Sequence, residues 1–592
     1  MTARVGRGLA AAAVLIGVVT ILARVVGFAK QLVLARTVGT NCLATAYFTA
    51  NQVPNIVFEI VVGGALAGMV VPVLAGAASR SSVPVPAGSR AEGSGPAASS
   101  ARGAGAGGPH VEGAGAAGSG AVETAEEARA RVGWITSALL TWVLVLLVPL
   151  GALTALAARP VIGLFAGDVQ GCMTGDLVDT ATRMLVVFAP QIPLYGLAVV
   201  LYGVLQAHRR FAGPAVAPLV SSLVVIVAYL LFVPLSHGVT DPLTDVPRPA
   251  ELALSAGTTL GVLALVVTVI GPSSRLGLRL RPTLRFPEGV AARVRRLAAA
   301  GLSALIAQQA AMALVVWLAN HEVGAGGLPG YNYAWAIYQV PYAVLAVPIA
   351  TSVFPALSAR AEGGDGDGFA ALSAQTTRAV VIVSGLAAGA LAAVAAPVAA
   401  VFVEGMDSQI DAGELARTIA LFAPGLVGYG LVAQLGRVLY ADGRGRAAAV
   451  GTVAGWLVVM VAQTAFVVSF PGPWKLGGLA LGSAAGMTAG GVLLMAAVAR
   501  SRGPAALAGV PRALLTAVLG GGAGFLAGLW VTSQMPVHGP VAGVGVAALA
   551  GVAAVAACVA VALAVDRRDL MAALSRVRGT GGRGGTDDNG RT

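Results

Sequence analysis

The stretch FAPQIPLYGLAVVLYGVLQA, residues 188–207, occurs a second time in the chain as FAPGLVGYGLVAQLGRVLYA, residues 422–441. The two copies share Phe-Ala-Pro at the start, Tyr-Gly-Leu in the middle and a Leu and an Ala near the end, all at one constant offset. Pro54 likewise precedes an apolar run, and Pro341 precedes a similar run in the second half of the chain. Self-similarity of this kind indicates a fold built from two copies of one unit.

The composition around the repeat is typical of a polytopic membrane protein. Of 592 residues, 57% are apolar and 11% are charged, and the mean hydropathy is +0.83. The net charge of +12 does not indicate nucleic-acid binding, because the arginines cluster in connections between apolar segments. A transmembrane helix needs about 20 apolar residues. Fourteen windows meet that requirement: 9–36, 43–77, 133–157, 178–207, 214–236, 250–271, 297–319, 331–358, 372–402, 415–441, 447–470, 476–499, 510–533 and 540–565.

We therefore expect an all-α membrane protein with fourteen transmembrane helices. Helices 1–6 and 7–12 form two lobes, and because six is even the lobes are related by a pseudo-two-fold axis along the membrane normal. Two extra C-terminal helices follow. The predicted organisation is helices 1 and 2 at 1–78, a disordered cytoplasmic insertion at 79–127, helices 3 to 6 at 128–271, a basic cytoplasmic linker at 272–296, the C-lobe at 297–503, helices 13 and 14 at 504–566 and a disordered cytoplasmic tail at 567–592.

The distribution of charge predicts the orientation in the membrane. If the amino terminus is cytoplasmic, the connections on that side carry most of the arginines, including the cluster in the linker 272–296. The opposite connections carry few cations and several acids, such as Asp168 and Glu404. Because cytoplasmic loops are enriched in Lys and Arg, both termini are expected in the cytoplasm.

The first predicted helix contains two cations, Arg24 and Lys30. A charge at the bilayer centre costs at least about 2.5 kcal/mol, so such residues usually face a polar cavity. They lie about 120° apart around a straight helix, and Gly27 between them could permit the bend that one shared ligand requires. One interpretation is an anion clamp for a phosphate or diphosphate. The other is an internal ion pair with Glu59 that holds helices together.

Helices 2 and 8 are interrupted by proline at corresponding positions, Pro54 and Pro341. In duplicated transporters such interruptions indicate the binding site, which makes both prolines candidate hinges. A tolerated kink is the alternative. Helix 2 also carries Glu59 near its middle, an acid that pairs with a helix 1 cation or faces water.

The other reactive side chains support few additional sites. Arg183 and Arg437 lie near helix ends, where snorkelling to the interface is the simpler explanation. Cys42 and Cys172 fall in two connections on the outer side and are candidates for a disulfide in an oxidising compartment, whereas Cys558 is interpreted as an apolar filler. The sequence has no metal-binding pattern, nucleotide-binding loop or nucleophile elbow, so an ATP-driven pump or a membrane enzyme has little support.

Several segments together resemble the MurJ (MviN) lipid II flippases, which belong to the multidrug, oligosaccharidyl-lipid and polysaccharide exporter superfamily. The resemblance implies a multi-pass plasma-membrane protein that moves the lipid-linked peptidoglycan precursor from the inner to the outer leaflet. It also implies a central cationic cavity for the diphosphate between two rocking lobes. The segments are ARVVGFAKQLVLARTVG from Ala23, ATAYFTANQVPN from Ala44, GGALAGMVVPVLA from Gly63, LQAHRRFAGPAVAPLVSSL from Leu205 and FAPGLVGYGLVAQLGRVLYADGR from Phe422.

The resemblance also assigns candidate site residues. Arg24 and Lys30 match two arginines of the family's first helix, and Pro54 with Asn55 matches a Pro-Asn pair in its second. Other positions depart from the family pattern, which leaves three of its cavity cations missing. The departures are Thr45 for an acid, Phe58 and Glu59 for Arg-Arg, Gly63 and Gly64 for Glu-Gly, and Ala336 and Gln339 for an Arg and a Glu.

The leading hypothesis is a lipid II flippase that binds its substrate through Arg24, Lys30, Asn55, Glu59 and Gln339. It would use no cofactor and would be driven by the membrane potential or an ion gradient. Its partners would be lipid II and bilayer lipids, together with proteins of cell-wall synthesis or division. The alternatives are export of another polyprenyl-linked glycan or an amphiphilic drug, and a transport-inactive scaffold whose insertion and tail bind cell-wall proteins.

Overall fold

The computed structural model describes residues 2–60, 74, 125–286, 290–535 and 539–579, with side chains inside 18–60, 126–286, 302–535 and 539–565. Within this part of the chain every regular element is helical, and the sole β feature is an isolated bridge between Thr40 and Ser408. Most of the insertion predicted at 79–127 and the end of the tail predicted at 567–592 lie outside the described residues.

The helices are labelled in chain order. Short π-helical turns at Ala319–Val323 and Tyr342–Ala346 and a 3-10 turn at Pro504–Leu507 connect some of them. The α-helices are α1 Thr2–Thr37, α2 Cys42–Phe58, α3 Ala125–Leu156, α4 Ala158–Ala166, α5 Thr174–Phe188, α6 Gln191–Ala207, α7 Ala212–Ser236, α8 Arg248–Ser274, α9 Val290–Leu318, α10 Gly327–Pro341, α11 Val347–Glu362, α12 Gly366–Ala393, α13 Ala395–Val403, α14 Ala412–Phe422, α15 Gly425–Ala441, α16 Gly445–Ser469, α17 Gly472–Arg502, α18 Val510–Gln534 and α19 Gly539–Gly579.

Thirteen spans within the described residues are long and apolar enough to cross a membrane. Each of them falls on one of the predicted windows, which confirms a multi-pass, all-α membrane protein. The remaining window, 43–77, begins as α2 but is described continuously only to residue 60. The count of fourteen therefore stays a prediction.

Equivalent helix pairs pack together in the two halves, here called the N-lobe (α1–α8) and the C-lobe (α9–α17). In the N-lobe α7 packs against α1 and α8, and in the C-lobe α16 packs against α9 and α17. The pairs α6–α8 and α3–α6 recur as α15–α17 and α12–α15. The duplication read from the sequence is therefore a duplication of packing as well.

The helices that carry Pro54 and Pro341 both leave the regular α-helical hydrogen-bond pattern within five residues after the proline. After Pro54, the helix becomes π-helical at Glu59, whose backbone N–H bonds the carbonyls of Asn55 and Ile56. After Pro341, the π-helix Tyr342–Ala346 follows at once. Proline has no N–H to donate, so the helix around it is easily rewound, and π-turns are frequent at functional sites.

The last two helices pack on the outer side of α12 through small residues. Gly385 of α12 lies against Ala517 of α18, and a Cβ on Gly389 would overlap the backbone of Gly521. Such close approach of backbones is the usual way in which membrane helices associate. The pair α18–α19 is thereby fixed to the C-lobe.

The lobes touch mainly at one end of the bundle, called here the closed end, where the loop 404–411 meets the α1–α2 connection. The backbone of Thr40 exchanges hydrogen bonds with Asp407 and Gln409, and Arg36 donates to the carbonyl of Glu404 at 2.6 Å. The carboxylate of Asp407 accepts from Asn41 at 3.2 Å and from Thr240 at 2.9 Å. N-lobe and C-lobe loops are thus joined by several polar contacts.

A buried asparagine adds a second connection at the closed end. Asn320, in the π-turn of the C-lobe, is fully buried. Its Nδ2 donates to Thr49 Oγ1 at 3.0 Å and to the carbonyl of Phe165 at 2.8 Å, and both acceptors belong to the N-lobe. We call this set of hydrogen bonds the Asn320 latch.

Toward the other end, the open end, the lobes separate. The larger contacts between lobes join α1, α2 and α4 to α9, α10, α13 and the π-turn Ala319–Val323. Within the described residues, α3 and α6 make no comparable contact with α11 or α15. A cleft between the lobes is the consequence, and the proline-interrupted helices α2 and α10 border it.

Candidate functional site

Two tyrosines related by the repeat, Tyr195 and Tyr429, lie half-buried in the two lobes. The Tyr195 hydroxyl donates to Asn55 Oδ1 at 3.5 Å, and the Tyr429 ring stacks on Tyr342 with 3.9 Å between centroids. Asn55 and Tyr342 each follow directly after the interrupting proline of their helix. In both lobes the residue after the proline therefore contacts the repeated tyrosine, through a hydrogen bond in the N-lobe and through ring stacking in the C-lobe.

Glu59 brings these two arrangements together. It is half-buried at the π-helical end of α2, in electrostatic range of both Tyr195 and Tyr429. Gln339 of α10 lies near the Tyr429 hydroxyl. Asn55, Glu59, Tyr195, Gln339 and Tyr429 form what we call the central polar cluster. Three of its members, Asn55, Glu59 and Gln339, were singled out from the sequence as candidate binding residues.

Aromatic stacking holds the C-lobe side of this cluster in place. Trp335 of α10 lies 5.7 Å from Phe422 and 5.4 Å from Tyr338, measured between ring centroids. Tyr338 in turn stacks on Phe422 at 5.1 Å and lies 6.1 Å from Tyr429. Aromatic pairs at these separations each add about 0.5–1.5 kcal/mol of stabilisation beyond area burial. The rings around Tyr429 therefore hold its side chain in one position. On the N-lobe side, Phe58 packs on Tyr195 at 4.2 Å.

The two helix 1 cations make no hydrogen bond or ion pair with the cluster residues that the structure describes, and their spacing of six residues puts them about 120° apart around α1. The helix continues through Gly27 without interruption. Arg24 is exposed and Lys30 is half-buried. Neither makes a hydrogen bond or an ion pair with any part of the chain that the structure describes, so an internal ion pair with Glu59 is absent here. Both cations are available to a ligand, on different sides of the helix.

The snorkelling explanation of Arg183 is wrong. Its guanidinium holds the carboxylate of Glu251 on α8 with two contacts, Nη2 to Oε2 at 2.8 Å and Nε to Oε1 at 3.0 Å. Thr180 accepts a third hydrogen bond from it, and Arg248 lies 3.3 Å from the same carboxylate. The Glu251 side chain is only 7% exposed, so a bidentate partner on the neighbouring helix stabilises Arg183 better than the interface would.

The structure joins Cys42 to Cys172 in a disulfide, with 5.8 Å between their Cα atoms. The bond connects the start of α2 to the loop before α5, both at the closed end. Cys558 is buried in α19 as a free thiol. The cysteine pair therefore stabilises the N-lobe side of the surface on which the C-lobe loop 404–411 rests.

Sequence reasoning missed the residues that hold the closed end. Asn320 and Asp407 were not singled out, and Glu251 was hidden inside an apolar window. A usable signal for Glu251 was its position in the first turn of α8, where an acid is favoured by the helix dipole. Burial and the proximity of Asp407 raise the pKa of Asp241 in the neighbouring loop, which shows how closely acids meet at this end.

With this geometry established, the chain can be compared with known proteins. A sequence model described as "Lipid II flippase MurJ" matches residues 121–535, more than two thirds of the chain. This chain belongs to the MurJ lipid II flippase family. The Burkholderia cenocepacia lipid II flippase MurJ is 24% identical over 430 residues, covering 71% of each chain. The probable lipid II flippase MurJ of Rhizobium tropici is 25% identical over 349 residues, 59% of this chain and 55% of its own length.

Solved structures agree with the fold. A lipid II flippase MurJ in an inward closed conformation aligns with a TM-score of 0.67 at 16% identity, over 94% of this chain and 100% of its own. A multidrug resistance MATE family transporter of the MOP superfamily, in an inward-facing conformation, aligns at 0.56 with 13% identity, over 81% and 98%. Membership in the MurJ family confirms the resemblance seen in the sequence and makes the protein a membrane transporter, not an enzyme.

Proposed function

We propose that this chain translocates lipid II from the cytoplasmic to the outer leaflet by alternating access of its two lobes. The observation that carries the proposal is family membership combined with a duplicated bundle whose lobes meet at one end and part at the other. A carrier of this kind needs a cleft that faces one side at a time. Transport would use no cofactor and would be driven by the membrane potential or an ion gradient.

The proposed orientation puts both termini and the open end in the cytoplasm. The arginine-rich linker 272–296 extends from the open end of α8, which is the side that positive charge favours. The closed end, with the disulfide, would then face the oxidising outer compartment. On this reading the structure corresponds to a carrier ready to accept cargo from the inner leaflet.

The proposed substrate contacts divide by charge. Arg24 and Lys30 would hold the diphosphate, since paired cations in a partly dry cleft suit phosphate oxygens. Asn55 and Gln339 would contribute neutral hydrogen bonds, and Glu59 would limit how strongly anions are attracted. Because Arg24 and Lys30 point to different sides of α1, a diphosphate would reach both only after α1 turns or bends, for which Gly27 is the proposed hinge.

Pro54 and Pro341 are the proposed hinges of the lobes themselves. Each is followed by a π-helical turn, which contains Glu59 in α2 and begins three residues after Gln339 in α10. A rewound helix can change its direction at small cost. Movement there would couple the position of Glu59 and Gln339 to the opening of the cleft.

Complementation tests the proposal. The chain is expressed in bacteria depleted of their own lipid II flippase, as wild type, Arg24→Ala, Arg24→Lys and a control, Arg159→Ala. Arg159 forms an exposed ion pair with Asp179 and lies away from the cleft. We expect growth with the wild type, the control and Arg24→Lys, and loss of growth with Arg24→Ala at equal membrane levels.

Other outcomes contradict specific parts of the proposal. Failure of the wild type despite correct membrane insertion would count against lipid II as cargo and favour another polyprenyl-linked glycan or an amphiphilic drug. Rescue that Arg24→Ala does not impair would keep the flippase and remove the clamp. Rescue of a division defect without lipid II translocation would favour a scaffold that binds cell-wall proteins.

A further inference from the structure

We propose that a cavity at the closed end of the N-lobe binds the headgroup of a zwitterionic phospholipid that carries a primary amine. The phosphate of this headgroup would contact Arg183 and Arg248, and its ammonium group would contact Asp176. None of these residues belongs to the central polar cluster or to the proposed diphosphate clamp. The inference is therefore independent of which lipid the chain transports.

The cavity lies between the first half of α5, the loop 237–247 and the start of α8. Its volume is about 210 Å³. This is the space of about seven water molecules, close to the about eight non-hydrogen atoms of a phosphoethanolamine group. Side chains of both charges line the cavity together with apolar side chains of the loop: Asp176, Asp179, Arg183, Arg248, Leu243 and Val246. Its size and mixed lining suit one small polar headgroup.

The side of the cavity toward α8 has one positive charge in excess. Arg183 and Arg248 share the single carboxylate of Glu251, at nitrogen–oxygen distances of 2.8 and 3.3 Å. The Arg248 side chain is 64% exposed, and among the described residues only its Nη1 donates a hydrogen bond, to Glu251. The remaining guanidinium N–H groups suit phosphate oxygens, which arginine binds through several donors at once.

The side toward the start of α5 has one negative charge in excess. Asp179 is paired with Arg159 at 2.8 Å. The half-buried Asp176 side chain makes no hydrogen bond or ion pair within the part of the chain that the structure describes. An ammonium group supplies three N–H donors, so a primary amine is a better partner for this carboxylate than a quaternary amine, which has no N–H.

One ligand can contact both charged sides. Asp176 and Arg183 are seven residues apart on α5, so they lie on the same helix face about 10 Å apart along the axis. Both line the same cavity. The cavity thus has one spare charge of each sign at its two sides, and a zwitterion with one phosphate and one ammonium group matches both.

Apolar surface continues from the cavity along the two helices. Val186 follows Arg183 by three residues and Leu252 follows Arg248 by four, so each lies beside its arginine on the same helix face. Both side chains are exposed, and both belong to spans that are long and apolar enough to cross a membrane. A headgroup in the cavity would have its acyl chains against these side chains, which favours a phospholipid over a soluble zwitterion.

The C-lobe uses the equivalent positions differently. At the constant offset of the repeat, Arg417 corresponds to Arg183, and Ile410 takes the place of Asp176. Arg417 donates to the carbonyl of Pro473 at 3.0 Å. The unpaired acid of the cavity therefore has an apolar counterpart in the second copy, and the site is a property of the N-lobe alone.

The experiment measures lipid binding to the purified full chain in detergent by native mass spectrometry. The probes are phosphatidylethanolamine, phosphatidylcholine and phosphatidylglycerol with identical acyl chains. Phosphatidylcholine keeps both charges but has no N–H donor, and phosphatidylglycerol keeps the phosphate but has no cation. We expect the first phosphatidylethanolamine molecule to bind about tenfold more tightly than either other lipid, the ratio that one charge-assisted hydrogen bond provides.

Substitutions on the two sides of the cavity locate the headgroup. Asp176→Asn should lower the preference for phosphatidylethanolamine over phosphatidylcholine to below about twofold, whereas Asp168→Asn, at an exposed acid of the preceding loop, should keep it at about tenfold. Arg248→Gln should weaken both lipids alike, by about threefold, because both carry the phosphate. Its control, Arg417→Gln in the C-lobe, should weaken neither.

Three results would overturn the inference. Equal binding of the three lipids by the wild type would show that the amine is not recognised, and this comparison needs no variant. An unchanged preference in Asp176→Asn would place the amine elsewhere. Glycerophosphoethanolamine, the same headgroup without acyl chains, should compete only weakly, and competition at equal concentration would make the ligand a soluble zwitterion. These measurements do not involve transport, so they remain decisive if lipid II is not the cargo.

Discussion

Replacing Asn320 by alanine should shift the lobes away from the conformation described here. The change removes two hydrogen bonds of the Asn320 latch, to Thr49 at 3.0 Å and to the Phe165 carbonyl at 2.8 Å. Each is worth about 0.5–1.5 kcal/mol net, so together they contribute about 2 kcal/mol. That corresponds to a factor of about 30 in the equilibrium, enough to raise a minor state from about 1% to about a quarter of the molecules.

The assay is a distance distribution between spin labels on the two lobes at the closed end, at Asp245 and Glu404, in a Cys558→Ala background. Both positions are exposed loops on opposite sides of the contact. A long-distance population should grow in Asn320→Ala. The matched control is Asn332→Ala, because the Asn332 amide donates within its own helix, to the Leu328 carbonyl at 2.9 Å. No growth of that population, or equal growth in both variants, would refute the reasoning.

Three further predictions concern stability, measured by thermal unfolding in detergent. Glu251→Gln should lower the free energy of unfolding by about 2 kcal/mol, which is less than for a fully buried ion pair because its partner Arg183 is about one third exposed. Arg159→Ala, in an exposed ion pair, should lower it by under about 1 kcal/mol. Equal losses in the two variants would contradict this prediction. Gly389→Ala should lower the stability because the added methyl group pushes α18 away from α12. The control Gly522→Ala has open space around it and should leave the stability unchanged or raise it by about 0.5 kcal/mol. Unchanged stability in Gly389→Ala would show that the two helices are not in tight contact. The pKa of Asp241 is raised, so the folded chain holds this proton more tightly and loses stability as pH rises above the ordinary value of 3.8. Asp241→Asn should therefore have the same stability as the wild type near pH 3. At pH 7 it should be more stable by about a few tenths of a kcal/mol, a small gain because the group is largely exposed. A less stable Asp241→Asn at pH 7 would contradict the raised pKa of Asp241.

The sequence predicted what depends on local patterns. Apolar windows follow from the thickness of the bilayer, so thirteen of them reappear as spans in the described part of the chain. The repeat paired Tyr195 with Tyr429 and Pro54 with Pro341 before any contact was known. Because equivalent residues in equivalent helices meet equivalent neighbours, these correspondences led to the central polar cluster.

The sequence did not predict which side chains of distant helices contact each other. Whether Arg183 snorkels or meets Glu251 depends on how far α5 and α8 are rotated about their own axes, and hydropathy does not encode rotation. Asn320 lies in a π-turn and bonds Thr49, which is 271 residues away in the sequence, and no local pattern indicates that pairing. Glu59 had two open interpretations, and the absence of an ion pair in the described residues favours a site for ligand.

The most direct test of the central claim is translocation by the purified chain. Liposomes carrying lipid II on the inner leaflet, with an imposed membrane potential, are prepared with the wild type, with Arg24→Ala and without protein. The account predicts lipid II on the outer face with the wild type, at a rate well above protein-free liposomes, and strongly reduced transfer with Arg24→Ala. A wild-type rate equal to that of protein-free liposomes would contradict it.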